Sequence, residues 1–228
     1  MKILHLVLYS DMKPYIEMYH MLSEYYKKFE DIDTFFYCYR NIDEDYIIEE
    51  DKLIINGTET YTPGILNKTI MSIKILMDNK YDYVIRSNIS SVLLLDKYKK
   101  YLENNDIECG GTNIGYEYMD NNYIKFISGT NIIIRSDIAR KMIDDYIESN
   151  IIDDVYIGKY LRDNNYKITQ IENSLRLDIK GLLDDNIKIN ECKKENIYLY
   201  RNRNDENRMI DIYNMNIIIN QIIEKNEI

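Results

Sequence analysis

The stretch "YDYVIRSNISSVLLLDKYKKYL", residues 81–102, decides the fold. It begins as a buried strand, stops at a small polar turn, and continues into the helical segment "DKYKKYLENN". Asn and Ser end a strand readily because their side chains bond nearby backbone, so Asn88, Ser90 and Ser91 have a plain reading as strand terminators and caps of the next helix. In open α/β sheets, however, ligands bind outside the carboxyl ends of the strands. Arg86, Ser87, Asn88, Ser90 and Ser91 stand at such an end.

Toward the amino terminus, "KILHLVLY" reads as a first strand, and Ile16, Met18, Tyr19, Leu22 and Tyr26 recur at helical spacing over residues 15–29. A second strand, "DTFFYCYR", follows, then an acidic stretch over 43–51 and a short strand or turn at "LIINGTE". "YTPG" marks a helix start, with Thr62 as cap and Pro63 at the first helical position. That helix sets Ile65, Leu66, Thr69, Ile70, Ile73, Leu76 and Met77 on one face and leaves Lys68 off the stripe, where a lysine is by default solvated. Strands alternating with helices of this length predict parallel pairing through crossover helices.

Toward the carboxyl terminus the reading continues with a Gly-rich turn, "CGGTNIG", and a strand pair, "YIKFIS" and "NIIIR", around "GT". Ser136 opens a helix over 137–150, "IIDDVYIGKYLRDNN" gives another, and "YKITQIE" and "NIYLYRNR" read as strands before a final Ile-rich helix. With eight Gly, two Pro and no Pro-, Gly- or Ser-rich tract, no linker divides the chain, so one domain over 1–228 is expected.

A formal charge of -10 argues against a nucleic-acid-binding surface. No segment reaches the roughly 20 apolar residues needed to span a bilayer, and the first residues lack a signal-peptide pattern. Cys38, Cys109 and Cys192 are far apart and odd in number, which suggests reduced thiols rather than a disulfide framework or a zinc knuckle. A soluble, cytoplasmic protein is expected. Neither a Walker sequence nor G-x-G-x-x-G nor G-x-S-x-G is present.

Three motifs occur in order: "PGILNKT", "YDYVIRSNISSV", and "FISGTNIIIRSDIARKMI" followed by "IIDDVYIGKYL". This order resembles the inverting nucleotide-sugar glycosyltransferases of the GT-A fold, particularly the β-1,3-galactosyltransferase and fringe group and related enzymes of large DNA viruses. The resemblance covers about Thr62 to Leu161. It implies a GT-A, Rossmann-like fold: a mixed, mostly parallel sheet flanked by helices. It also implies an inverting transfer from a nucleoside diphosphate sugar, with UDP the default, to a hydroxyl of a glycan or protein acceptor.

Carried over by position, Asp154 of "DDV" would be the catalytic base, supported by Asp153 where the family has Glu. Ser128 and Gly129 would line the acceptor side. Lys68 and the turn at Asn88 and Ser90 would belong to the donor site, with Tyr9 and Ser10 near the nucleotide base. The family's D-x-D, which binds a divalent cation, is replaced here by Asn88-Ile89-Ser90. Neutral amide and hydroxyl oxygens are weak anchors for such an ion. No residue is therefore assigned as a metal ligand, and the use of Mn²⁺ or Mg²⁺ is left open. Arg86, Lys68, Arg201 and Arg203 are the candidates for neutralising the diphosphate, ranked above Arg208, since a guanidinium matches two phosphate oxygens at once.

Each assignment has a plainer counterpart. Asp153 and Asp154 sit where a helix begins and would serve as caps. The arginines alternate with Asp205 and Glu206 and would pair among themselves at the surface. A GT-A-like protein without activity, binding a nucleotide or glycan or serving as a scaffold, is the alternative to an enzyme.

Overall fold

The computed structural model describes residues 1–78, 80–119, 121–184 and 186–223. The chain begins with β1 (Ile3–Leu8), α1 (Tyr15–Tyr26), β2 (Ile32–Arg40), β3 (Tyr46–Glu49), β4 (Lys52–Asn56) and α2 (Gly64–Leu76). It continues through β5 (Tyr83–Asn88), β6 (Ser91–Leu93), α3 (Leu95–Asn104), β7 (Cys109–Gly111), β8 (Ile114–Met119), β9 (Asn122–Ile127) and β10 (Asn131–Arg135). The last part holds α4 (Ser136–Asp144), α5 (Asp153–Asp163), β11 (Ile168–Gln170), β12 (Leu175–Ile179), α6 (Asn186–Glu191), β13 (Ile197–Asn202) and α7 (Arg208–Ile217).

Among the described residues the main sheet has eight strands in the order β11-β7-β10-β5-β1-β2-β4-β3. β10 runs antiparallel to β5 and β7, and β3 antiparallel to β4; the other pairings are parallel. This is the mixed, mostly parallel α/β sheet expected from the sequence. β1, the start of β5 and β10 are near-continuous apolar runs because both faces of the sheet are covered there. Ile3, Val7 and Ile85 face α1, α3 and α7, whereas Leu4, Leu6 and Val84 face α2, α4 and α5. Each such Ile or Leu contributes about 1.5–3 kcal/mol through burial.

The turn after β5 leads out of this sheet. β6 follows at once and pairs with β13, which pairs with β12, so a three-stranded sheet β12-β13-β6 stands beside the strand ends. Neither Asn88, Ser90 nor Ser91 caps α3, whose N-cap is Leu94. Residues 88–91 are the step from one sheet to the other.

Several local expectations are corrected. "CGG" is a strand, β7, rather than a turn, and Gly110 and Gly111 are there because a Cβ would meet the backbone oxygens of Thr169 at 2.7 Å and Asn131 at 2.5 Å. "YIKFI" does not pair with "NIIIR": β9 forms a hairpin with β8, while β10 inserts between β5 and β7 with Ile132, Ile133 and Ile134 all buried. The acidic stretch holds β3, and "LRLDI", not read as a strand, is β12. Pro63 takes the N-cap of α2 with no side-chain cap bond from Thr62, α1 ends at Tyr26, and α4 ends at Asp144.

Candidate active site

β1, β5 and the helix starts of α2 and α5 converge with the small sheet on a cavity of about 460 Å³. Its wall includes Arg86, Asn88, Ser128, Gly129, Asp153, Asp154, Arg176, Arg201, Arg203 and Asp205. A second cavity of about 400 Å³ shares Leu8, Tyr61, Ile65, Asn88 and Arg201 with the first and is otherwise lined by residues such as Tyr9, Ser10, Tyr15, Glu59, Lys68 and Ser90. The two form one crevice.

Arg86 is the centre of the first cavity's floor. At 3% exposure it places Nη2 2.7 Å from Asp153 Oδ2, and Nη1 donates to Asn88 Oδ1 at 2.6 Å and to the Gly129 carbonyl. Burial alone would push this guanidinium down, but Asp153 first, then Tyr37 and Asp154, raise it overall. Asp153 also accepts from Thr69 Oγ1 at 3.3 Å, and Thr69 lies 2.8 Å from the Tyr37 hydroxyl. The capping reading of Asp153 therefore fails: the N-cap of α5 is Ile152, and the Asp153 carboxylate is held by Arg86.

Asp154 is oriented differently. Its Oδ2 accepts the Gly129 amide at 3.1 Å and its Oδ1 the Val155 amide at 2.9 Å. Burial, and then the Asp153 charge, raise its carboxyl above the ordinary value, against the pull of Arg86 and the two amides. The residue at 129 must be glycine for a reason the sequence did not show. A Cβ there would stand 2.8 Å from Arg86 Nη1 and 3.3 Å from Asp154 Oδ2, so its small size serves these two side chains.

Lys68 corrects an expectation. It is 2% exposed rather than solvated, and its Nζ donates to Glu59 Oε2 at 2.6 Å and to the Tyr9 carbonyl at 3.1 Å. Burial holds its pKa below the ordinary lysine value despite Glu59. Glu59 in turn accepts the Tyr39 amide at 2.9 Å, so the pair ties the end of β1 to the loop before α2. At the end of β2, Arg40 pairs with Asp11, which also accepts the Tyr9 hydroxyl at 2.8 Å.

The small sheet supplies the remaining cations. Arg201 Nη1 donates to Ser90 Oγ. Arg176 is held by Asp178 through Nε at 2.8 Å and Nη2 at 2.9 Å, and its Nη1 reaches Ser128 Oγ at 3.4 Å. Arg203, half exposed, lies 3.9 Å from Asp205, and Arg208 lies 2.7 Å from the buried Asp211. The surface-pairing reading thus fits Arg203 alone: Arg208 pairs most closely with buried Asp211, and Arg201 has no carboxylate within ion-pair distance among the described residues. Burial, then Arg208 and Arg176, push Arg201 down to about 10.

Every residue assigned from sequence lines this crevice: Tyr9, Ser10, Lys68, Arg86, Asn88, Ser90, Ser128, Gly129, Asp153, Asp154, Arg201 and Arg203. Glu59, Tyr61 and Arg176 were missed. Arg176 lies in "LRLDI", whose alternation of apolar residues with Arg and Asp was the available signal for a strand with one polar face.

No protein-family model and no curated protein matches the chain. Among solved structures it is similar to the catalytic domain of Drosophila β1,4-galactosyltransferase 7 in complex with xylobiose (12% identity, TM-score 0.44, covering 76% of this chain and 66% of that one). An Asp-to-Asn mutant of that enzyme with manganese, UDP-Gal and xylobiose gives 12% identity and a TM-score of 0.43 over the same shares. The 4-diphosphocytidyl-2C-methyl-D-erythritol synthase of Anaerococcus prevotii gives 11% identity and a TM-score of 0.45, covering 74% of this chain and 87% of that one. The chain spans just under two thirds of the galactosyltransferase domain's length.

Proposed function

We propose that this protein transfers a sugar from a nucleoside diphosphate donor to an acceptor hydroxyl, with inversion at the anomeric carbon. One observation carries the reading: a single carboxylate with a raised pKa, Asp154, on the wall of a cavity that four arginines also line. A transferase of this kind needs a base for the acceptor proton and fixed cations for the leaving diphosphate, and both lie in one crevice.

In the reaction the acceptor oxygen bonds to the anomeric carbon as the carbon–oxygen bond to the diphosphate breaks. The bonding electrons go to the diphosphate oxygen, and the acceptor proton goes to Asp154. A positioned base contributes typically ~10²- to 10⁴-fold. Asp153 is a positioning residue, fixing Arg86 and, through Arg86 and Gly129, the setting of Asp154. The more apolar second cavity, with Tyr9, Tyr15, Tyr61 and Ile89, suits the nucleoside. We further propose a reducing, cytoplasmic setting, in which the three buried cysteines stay free.

The test is release of nucleoside diphosphate from UDP-, GDP-, CDP- and dTDP-sugars, followed by phosphorus NMR. Turnover of one nucleotide class supports the reading. Binding of a diphosphate without turnover of any sugar, in the presence of mixed glycan acceptors, would favour a nucleotide-binding scaffold instead.

A further inference from the structure

We propose that Arg201 and Arg176 take the place of a divalent cation at the donor diphosphate, and that Asn88 and Ser90 position the guanidinium groups of the crevice instead of holding a metal. The proposal rests on the glycosyl-transfer reading above and specifies how its leaving group is held.

The residues present do not fit a cation at the position where the resembled family has its acidic pair. Asn88 Oδ1 already accepts from Arg86 at 2.6 Å, and Ser90 Oγ already accepts from Arg201. Two positively charged donors, from β5 and β13, thus occupy both oxygens that would have to face the ion. The nearby carboxylates are also engaged, Asp153 by Arg86 and Asp154 by two backbone amides. Hard cations need several oxygen ligands, carboxylates foremost. Among the described residues no group of three or more His, Cys, Asp or Glu is placed to hold a metal.

The geometry that excludes a cation supplies its substitute. Arg201 sits opposite Asp178 in the register of β12 and β13, and Arg176 precedes Asp178 by two residues, so all three share one face of the small sheet. Asp178 clamps Nε and Nη2 of Arg176, which leaves Nη1 directed to Ser128 and the cavity. Arg201 enters the same cavity with only a neutral hydroxyl as partner. A buried guanidinium with no direct ion-pair partner, beside a second one, is a site that an anion stabilises, and the planar fork of each matches a pair of phosphate oxygens. As the donor bond breaks, charge develops on the diphosphate oxygens, and N–H groups fixed in the cavity wall are most effective there.

The experiment is calorimetric titration of the protein with UDP, GDP, CDP and dTDP, each in excess EDTA and again with Mn²⁺. The expected result is one diphosphate bound with the same affinity in both conditions. Arg201→Ala and Arg176→Ala should each weaken it about 10- to 100-fold, the scale of a lost charge-assisted hydrogen bond, with or without Mn²⁺. Circular dichroism checks that the variants fold, and the comparison of conditions on the unaltered protein decides even if they do not. Binding that requires Mn²⁺ would overturn this proposal alone. Binding of no diphosphate in either condition would overturn the donor-site reading and this proposal with it.

Discussion

Arg86 and Asp153 form an ion pair of 2.7 Å between side chains only 3% and 2% exposed, at the point where the end of β5 meets the start of α5. A charge buried this deeply depends on its partner. Arg86→Met or Asp153→Ala alone should cost about 3–5 kcal/mol in urea unfolding, because each leaves the other charge unpaired. The double variant should recover a substantial part of that loss. Additive losses in the double variant would show that the two side chains do not depend on each other.

The pH dependence follows from Asp154, whose carboxyl is raised above the ordinary 3.8 by burial and by Asp153. With Asp154 as the proposed base its carboxylate is the active form, so kcat/KM should rise with pH through the raised pKa. Asp153→Asn removes the raising charge and leaves Arg86 free to pull Asp154 down, so the acid limb should move to lower pH. For stability the sign is opposite. A carboxyl with a raised folded pKa contributes stability below 3.8 that is lost as pH rises through the folded value. Relative to the wild type, Asp154→Asn should therefore gain stability as pH increases across that window, read from urea midpoints at several pH values.

Two glycines separate site from scaffold. Gly129→Ala sets a Cβ 2.8 Å from Arg86 Nη1 and 3.3 Å from Asp154 Oδ2, so it should lower kcat by up to ~10²-fold through misplacement of the base, with the fold retained. Gly158→Ala sets a Cβ 2.5 Å from Phe126 Cβ and 2.7 Å from the Lys125 carbonyl, where β9 must move away from α5. It should cost about 1–3 kcal/mol of stability, the usual scale of overpacking. Thermal unfolding and steady-state kinetics on both variants check the contrast.

Lys68→Met removes the ammonium partner of Glu59 and the donor to the Tyr9 carbonyl. The expected cost is about 1–3 kcal/mol, a fall in Tm of roughly 2–4 °C per kcal/mol for a chain of this size. Diphosphate affinity should fall as well, since the end of β1 then loses its anchor. An unchanged Tm would show that the buried ammonium does not brace this end of the crevice.

How much of this was legible in the sequence depends on the range of the interaction. The strands "KILHLVLY" and "YDYVIRSN" were readable because a strand buried on both faces is a continuous apolar run. The residues assigned from motif order and from the strand ends all line the crevice. Lys68 was misread because helical periodicity records only its own helix, whereas its ammonium is held by Glu59 of the preceding loop and by the Tyr9 carbonyl at the end of β1. β9 and β10 were paired wrongly because adjacency suggests a hairpin, while the three buried isoleucines of β10 belong between β5 and β7. Arg176 escaped notice because β12 exists only through its pairing with β13, a contact across more than a helix of intervening chain.

In the proposed function Asp154 takes the acceptor proton and takes no part in holding the donor. The measurement that tests it most directly sets Asp154→Asn beside the wild type, with diphosphate affinity and nucleotide-sugar turnover read on the same preparations. The account predicts equal affinity and a turnover lower by ~10²- to 10⁴-fold in the variant. Equal turnover by both proteins would contradict it.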